Sequence, residues 1–369
     1  MGQVLDGPVT ARRYVGRLAP SPTGALHLGN ARTFMVAWLR ARSQGGRVVM
    51  RMEDLDHPRD KPGAGQAAVD DLRWLGFDWD EEHVQSQRKA IYRNAMEFLR
   101  ERGLAYPCVC SRRDVESAQS APHDGDQLFY PGTCRGRFAS WQDALTFLNP
   151  PPNHLTAAPP NHLTTALPHH LTTAPPCRLP CWRFRAEGDT FVAFDDAFAG
   201  RIEADVASTL GDFPLARDEG GAGYTLAVVV DDLLMGVTEV VRGDDLLAAT
   251  PAQILVARAL LPWLGKSPTS APNGAKPPDR TSAKLSYCHV PLVVGPDGRR
   301  LAKRHGDTRI ASYREKGVSP EAVLGFLAAS CGWCEFGERI SLRDLLPRFA
   351  LAAIPKAPFV VTQTGLEEK

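Results

Sequence analysis

The stretch PSPTGALHLGN, residues 20–30, decides the fold, because two prolines, two glycines and a histidine separate one apolar run from the next. Upstream, YVGRLA at 14–19 reads as a short buried strand. Downstream, ARTFMVAWLRAR places Phe34, Ala37, Trp38 and Ala41 on one face of a helix that should start near Asn30. A second apolar run, RVVMRM at 47–52, completes a βαβ unit. The stretch is therefore a strand-to-helix turn at the start of a parallel, doubly wound α/β sheet.

Such a turn has a chemistry of its own. A helix N-terminus presents unpaired backbone N–H groups and a partial positive charge, so Gly29 and Asn30 predict an anionic phosphate site. Pro20 and Pro22 hold the entry extended, and Gly24 is expected in the left-handed region. His27 is placed to donate a ring N–H to the same phosphate. Read alone, a PSPTG turn with a surface histidine is equally an ordinary loop, so the reading needs a partner. The basic run RRLAKRHGD at 299–307 supplies one if folding brings Lys303 opposite His27. The pair would then flank a triphosphate and neutralise charge on a departing pyrophosphate, which is nucleotidyl-transfer chemistry.

The remaining sequence bounds the answer. A chain of 369 residues with 43% hydrophobic content predicts two or three domains. No apolar run approaches the roughly 18 residues of a membrane span, and MGQVLDGPVTARR lacks a secretory segment. Gly2 is followed by Asp6 where a myristoylation signal has Ser or Thr. A cytoplasmic location without membrane association is expected. Eight cysteines, several in tight pairs and with no evenly spaced framework, suit reduced thiols or metal ligands better than disulfides. The net charge of +1 neither demands nor excludes nucleic acid.

Along the chain, residues 14–105 read as the first half of a Rossmann-type catalytic domain. It includes helices over 64–80 (Ala68, Leu72, Leu75) and 87–103 (Ile91, Ala95, Phe98, Leu99), the latter stopped by Gly103. Residues 106–223 read as an insert, of which 106–140 is short, irregular and cysteine-bearing. Within it, residues 153–176 repeat an eight-residue unit three times, NHLTAAPP, NHLTTALP, HHLTTAPP. Its prolines forbid a helix, and a proline-rich chain gives His154, His162, His169 and His170 no fixed geometry for a metal. Residues 224–298 read as the second half of the sheet, interrupted by a linker-like segment at 266–284. Runs 226–230 and 237–241 are expected to be strands whose acidic ends face the ligand. Residues 299–369 carry the basic loop, one helix in SPEAVLGFLAASCGW, a short apolar segment and a frayed tail.

Together these motifs resemble a known family. PSPTGALHLGN is similar to the HIGH signature of class I aminoacyl-tRNA synthetases, and RLAKR to their KMSKS loop. With RMEDLDHPR and YTLAVVVDDLLMGVTEVVRGDDLL they resemble the glutamyl-tRNA synthetase group, in the family's order. Asn30 stands in place of the signature's last histidine, Arg300 in place of the loop's first lysine and Ala302 in place of its serine. The resemblance implies a class I Rossmann-type parallel sheet with a small zinc-bearing insert and a short helical C-terminal region. It also implies a glutamate pocket at Arg17, Ala19, Pro20, Ser21, Glu53, Tyr224 and Arg242, and an ATP site at His27, Gly29 and Lys303. Glutamate's two carboxylates call for guanidinium groups and its ammonium for a carboxylate. Individually, Arg17 and Arg242 also suit strand-end ion pairs, Glu53 a helix cap and Tyr224 the edge of a core.

Only about 65 residues follow Lys303. This brevity resembles the glutamyl-Q tRNA(Asp) synthetases, which match the catalytic half of the group without its anticodon-binding region. The resemblance implies tRNA-independent activation of L-glutamate with ATP and Mg2+, then transfer to queuosine in tRNA(Asp), by a monomer. It further implies one structural Zn2+ on Cys108, Cys110, Tyr130 and Cys134, although free buried cysteines would read the same way. Cys177 with Cys181 reads as packing or surface thiols, and Cys331 with Cys334 as those or a second metal site. Two other readings stay open: a tRNA-charging glutamyl-tRNA synthetase with a degenerate C-terminus, and a non-catalytic tRNA-binding paralogue.

Overall fold

A computed structural model describes residues 13–22, 24–55, 63–117, 129–150, 178–217, 221–264, 285–301, 307–362 and 365–366. The eight-residue repeat, the 266–284 segment and Lys303 lie outside the described residues.

The opening βαβ unit forms as its pattern predicts. Strand β1 (Val15–Leu18) is followed by α1 (Leu28–Arg42) and β2 (Arg47–Met52), and β2 pairs parallel with both β1 and β3 (Glu81–Val84). Between β2 and β3 runs α2 (Ala64–Trp74), and α3 (Lys89–Glu101) follows. Helix α1 buries a broad apolar face: Leu28, Met35 and Leu39 are fully buried, each contributing about 1.5–3 kcal/mol of burial free energy. It starts at Leu28, two residues before the predicted Asn30, because His27 caps it. Gly24 has open space around it and does not adopt a left-handed backbone.

Next come β4 (Ala105–Cys108), α4 (Arg112–Ser117), α5 (Trp141–Leu148) and β5 (Cys181–Phe184). They are followed by β6 (Phe191–Asp196), β7 (Gly200–Asp205), α6 (Val206–Thr209) and β8 (Phe213–Ala216). Strands β4, β5 and β8 make a separate antiparallel sheet. β6 and β7 lie inside the 106–223 stretch, yet they join a different sheet, ordered β7-β6-β10-β9, with β10 at Ser286–Val290 and β9 at Glu239–Gly243. The parallel β1-β2-β3 sheet and the β7-β6-β10-β9 sheet, mixed because β6 and β7 pair antiparallel, abut at β1 and β9, where the Thr238 amide donates to the Val15 carbonyl at 2.9 Å. That junction between the two halves of the chain is the switch point at which open α/β sheets bind ligands.

One expected strand is a helix. Residues 226–230 lie in α7 (Tyr224–Leu234), where Leu226, Ala227, Val228, Val229 and Val230 are all buried. A helix packed on every side shows no amphipathic period, so its apolar run reads like a buried strand. Asp231 and Asp232 consequently sit on a buried helix rather than at a strand end. The 237–241 run does supply β9. After β9, the stretch Asp244–Leu264, ending in α8 (Thr250–Leu264), is long and apolar enough by composition to cross a membrane. Here it is a core helix, with Leu255, Val256 and Leu260 buried beside residues of α3 and α7.

The C-terminal stretch comprises β11 (Val293–Val294), α9 (Ile310–Glu315), α10 (Pro320–Ala329), α11 (Leu342–Leu345) and β12 (Phe359–Val360). Strand β12 pairs parallel with β11, and Ile354 and Val361 are buried in the same core as α1, so this tail is packed rather than frayed. The fully buried Arg32 fastens it: Nε donates to Ser330 Oγ at 2.9 Å and Nη1 to the Pro291 carbonyl at 2.8 Å.

Candidate active site

His27 closes the N-terminus of α1 with its own ring. Its Nδ1 accepts from the amides of Gly29 at 3.1 Å and Asn30 at 3.4 Å, while Asn30 Oδ1 accepts the His27 amide at 3.4 Å. The amides expected to be open to phosphate are thus engaged by the histidine itself. Burial, with Arg300 adding to it, pushes the imidazole down to about 4, so it is neutral at physiological pH. Nδ1 being the acceptor, the proton sits on Nε2, free to donate. Gly29 suits this fold-back, since a Cβ there would lie 3.1 Å from His27 Nδ1, a crowded contact.

The ends of the basic loop meet this cap. Leu28 N donates to the Thr308 carbonyl at 3.0 Å, His27 and Arg309 form an antiparallel bridge, and Arg300 and Leu301 line the same cavity as His27. Arg300 pairs with Asp245 at 2.8 Å, tying the loop's start to the turn after β9.

A cavity of about 690 Å³ opens at the carboxyl ends of β1, β2 and β9. Arg17, Ala19, Pro20, Ser21, His27, Gly29, Glu53, Tyr224 and Arg242 all line it. The predicted positions, drawn from residues 17 to 242, therefore converge on one space, Lys303 alone lying outside the described residues.

The wall formed by Arg17, Glu53 and Arg242 rests on a buried charge network that sequence reasoning missed. Arg51, fully buried on β2, donates to Asp232 Oδ1 at 2.6 Å and Glu53 Oε1 at 2.9 Å. Asp231 accepts from Arg88 at 2.7 Å, Tyr92 at 2.7 Å and Gln85 at 3.0 Å. Arg17 donates Nη1–H to the Val241 carbonyl at 2.6 Å and lies 3.8 Å from Asp232, while its Nε is buried without a hydrogen bond. Burial raises the Glu53 carboxyl, opposed by Arg51 and Arg17.

Arg242 differs from Arg17 and Arg51 in having no carboxylate partner among the described residues. Its Nε donates to His289 Nε2 at 3.0 Å, Nη2 to Thr250 Oγ1 at 2.8 Å and Nη1 to Tyr224 Oη at 3.5 Å. The charged side chains lining the cavity include Arg17, Arg217, Arg242 and Arg300 against Glu53 and Asp245. The lining thus holds more cationic than anionic side chains, which suits an anionic ligand.

A second cluster gathers at the antiparallel sheet. The Sγ atoms of Cys108, Cys110 and Cys134 lie within 4.8 Å of one another, and Tyr130 Oη is 3.3 Å from Cys108 Sγ and 3.6 Å from Cys110 Sγ. Three sulfurs and a phenol around one point are a donor set suited to zinc. The buried Arg183 donates Nε–H to Cys108 Sγ at 3.2 Å, and its guanidinium carbon sits 3.9 Å from the Tyr130 ring centroid. Cys181, read as a packing or surface thiol, is paired across the β4–β5 ladder with Cys108. Cys177 lies outside the described residues. Cys331 and Cys334 join no ligand cluster among the described residues, and Cys334 Sγ donates to the Gly325 carbonyl at 3.3 Å.

Comparison with known proteins fits this geometry. The profile of the family "tRNA synthetases class I (E and Q), catalytic domain" matches residues 14–133 and 177–264. The chain is 41% identical to a glutamyl-Q tRNA(Asp) synthetase of Rhodopirellula baltica, over 95% of this chain and 97% of that one. It is also 41% identical to one of Symbiobacterium thermophilum, over 93% and 94%. It is 36% identical to a glutamate–tRNA ligase of Aquifex aeolicus, over 95% of this chain but 64% of that one. Among solved structures, a glutamate tRNA ligase from Elizabethkingia meningosepticum shares the fold with a TM-score of 0.67 at 24% identity, over 95% of this chain and 67% of that one.

Proposed function

The chain belongs to the glutamyl-Q tRNA(Asp) synthetase family of class I tRNA synthetases, and we propose that it activates L-glutamate with ATP and Mg2+ without tRNA, then transfers it to queuosine at the wobble position of tRNA(Asp). The observation that carries this reading is the convergence of Arg17, Glu53, Tyr224 and Arg242 with His27 on one cavity lined by more cationic than anionic side chains. Zwitterionic glutamate carries two carboxylates and one ammonium, hence a net charge of −1. Arg17 and Arg242 receive the carboxylates, and Glu53 the ammonium. Ala19, Pro20 and Ser21 shape the floor.

The α-carboxylate attacks the α-phosphorus of ATP in line, and pyrophosphate leaves. The nucleophile is already ionised, so no general base is required. Neutral His27 donates Nε2–H to a phosphate oxygen, with Gly29 keeping the ring folded over the helix end. Lys303 neutralises the leaving pyrophosphate. A queuosine cyclopentenediol hydroxyl then attacks the acyl carbon of glutamyl-adenylate, giving the ester and AMP. Where zinc is bound, Cys108, Cys110, Tyr130 and Cys134 hold it as a closed structural site, which staples the irregular insert.

The chain aligns with nearly the whole length of the glutamyl-Q relatives and with about two thirds of the glutamate–tRNA ligases, which favours the first over the tRNA-charging alternative. The test is glutamate-dependent ATP–pyrophosphate exchange in the absence of tRNA, followed by periodate-sensitive labelling of tRNA(Asp). Labelling absent from queuosine-free tRNA(Asp) and from tRNA(Glu) is expected. No exchange would overturn the activation step, and labelling of tRNA(Glu) would overturn the choice of acceptor.

A further inference from the structure

Behind the cavity, Arg242 leads into a buried chain that the proposed reaction does not itself use. His289 Nδ1 lies 2.6 Å from Asp196 Oδ2, and His289 Nε2 accepts Arg242 Nε–H at 3.0 Å. Asp196, His289 and Arg242 are all at most 5% exposed. The links span three neighbouring strands, β6, β10 and β9. The directions are fixed by donor inventory: a guanidinium can only donate, so His289 Nε2 must be the bare nitrogen and Nδ1 must carry the proton given to Asp196. Burial lowers the imidazole, partly opposed by Asp196, and the ring is neutral.

This chain governs how Arg242 faces the ligand. The guanidinium edge carrying Nε and Nη2 is engaged by His289 and Thr250, leaving the Nη1/Nη2 edge on the side of Tyr224 at the cavity. A fork held in this way meets a carboxylate without first losing side-chain entropy. We propose that Asp196 and His289 are positioning residues for glutamate recognition: Asp196 selects the tautomer in which His289 holds Arg242 with its free edge toward the carboxylate. The inference rests on the reading of Arg242 as a carboxylate ligand.

The surroundings of Asp196 supply a clean test. Its Oδ1 accepts from the amides of Phe198 at 3.0 Å, Ala199 at 2.8 Å and His289 at 3.1 Å. In Asp196→Asn those amides keep the amide oxygen where Oδ1 was, so the new NH2 takes the place of Oδ2 and donates to His289 Nδ1. The ring proton must then move to Nε2, where it opposes Arg242 Nε–H. The shape is conserved and the tautomer is wrong.

Wild type, Asp196→Asn, His289→Gln and His289→Ala are compared in glutamate-dependent ATP–pyrophosphate exchange, with KM for each substrate and the thermal midpoint determined for each. Asp196→Asn and His289→Ala are expected to raise the glutamate KM by about 10-fold or more while leaving the ATP KM within about 2-fold. His289→Gln, whose Oε1 replaces the acceptor, should stay within about 3-fold of wild type for glutamate. An unchanged glutamate KM in folded Asp196→Asn, or a parallel rise in both KM values, overturns the inference. If Asp196→Asn does not fold, equal glutamate KM values for His289→Gln and His289→Ala overturn it instead. Wild type that fails to exchange with glutamate would overturn the functional reading itself, a result distinguishable from these.

Discussion

His27 Nδ1 accepts the amide of Gly29 at 3.1 Å, so a single imidazole both caps α1 and presents its remaining N–H to the cavity. The two duties can be separated. Asn at position 27 preserves a cap but removes Nε2–H, and Ala removes both. His27→Asn should keep its thermal midpoint near wild type while kcat for pyrophosphate exchange falls by about 10²–10³-fold, the usual cost of losing one transition-state donor. His27→Ala should lose similar activity and, in addition, about 1 kcal/mol of stability. Full activity in His27→Asn would remove the histidine from the chemistry.

The lowered His27 fixes the sign of a pH effect. Its folded value is about 4 against 6.5 unfolded, so between those values the unfolded chain binds more protons. Stability from this group is fully present above 6.5 and is lost as pH falls toward 4. Exchange activity should show no inflection assignable to His27 between about pH 6 and 8, since the ring is already neutral there. A kinetic step near pH 6.5 that disappears in His27→Asn would contradict this.

Arg242→Lys should behave as a severe change. Lysine supplies one point charge and no Nε, so it cannot keep His289 and Thr250 while offering a forked edge to a carboxylate. Glutamate KM is expected to rise by at least about 10-fold with ATP KM little changed, read from exchange kinetics. In Glu53→Gln the ammonium loses its carboxylate while Arg51 keeps an oxygen acceptor, so the loss should again fall on glutamate rather than ATP.

Metal content separates the cysteines. Cys134→Ser should lose its equivalent of zinc, whereas Cys181→Ser, on the opposite strand position to Cys108, should retain it. Arg183→Met removes the N–H donor on Cys108 Sγ and should weaken zinc affinity by about 10–100-fold, measured by chelator competition. Equal zinc retention in Cys134→Ser and wild type would refute the ligand set.

Much of the scaffold was legible because local signals agreed. The turn at 20–30, the run at 47–52 and the apolar stripe of α1 each pointed to a βαβ unit, and the strands pair accordingly. Tyr224–Leu234 was illegible as a helix because burial on every side erased its period; its glycine-bounded length of 11 residues was the available signal. Arg51 alternates like a solvent-facing residue in RVVMRM, yet it is fully buried, because its partner Asp232 comes from 181 residues away. His289 gave no sign at all: a lone histidine in YCHVPLVV becomes meaningful only when Asp196 and Arg242 arrive on neighbouring strands.

Arg32 draws one last consequence from its grip on Ser330 and Pro291. Its guanidinium is fully buried with no ion-pair partner among the described residues to stand in for those oxygens, one turn beyond the histidine that faces the cavity. The tail is therefore no detachable appendage, and cutting the chain before α10 would strand that cation beneath an uncovered apolar face. Melting should accordingly register these segments within one cooperative event, with no early shoulder from the carboxyl-terminal helices.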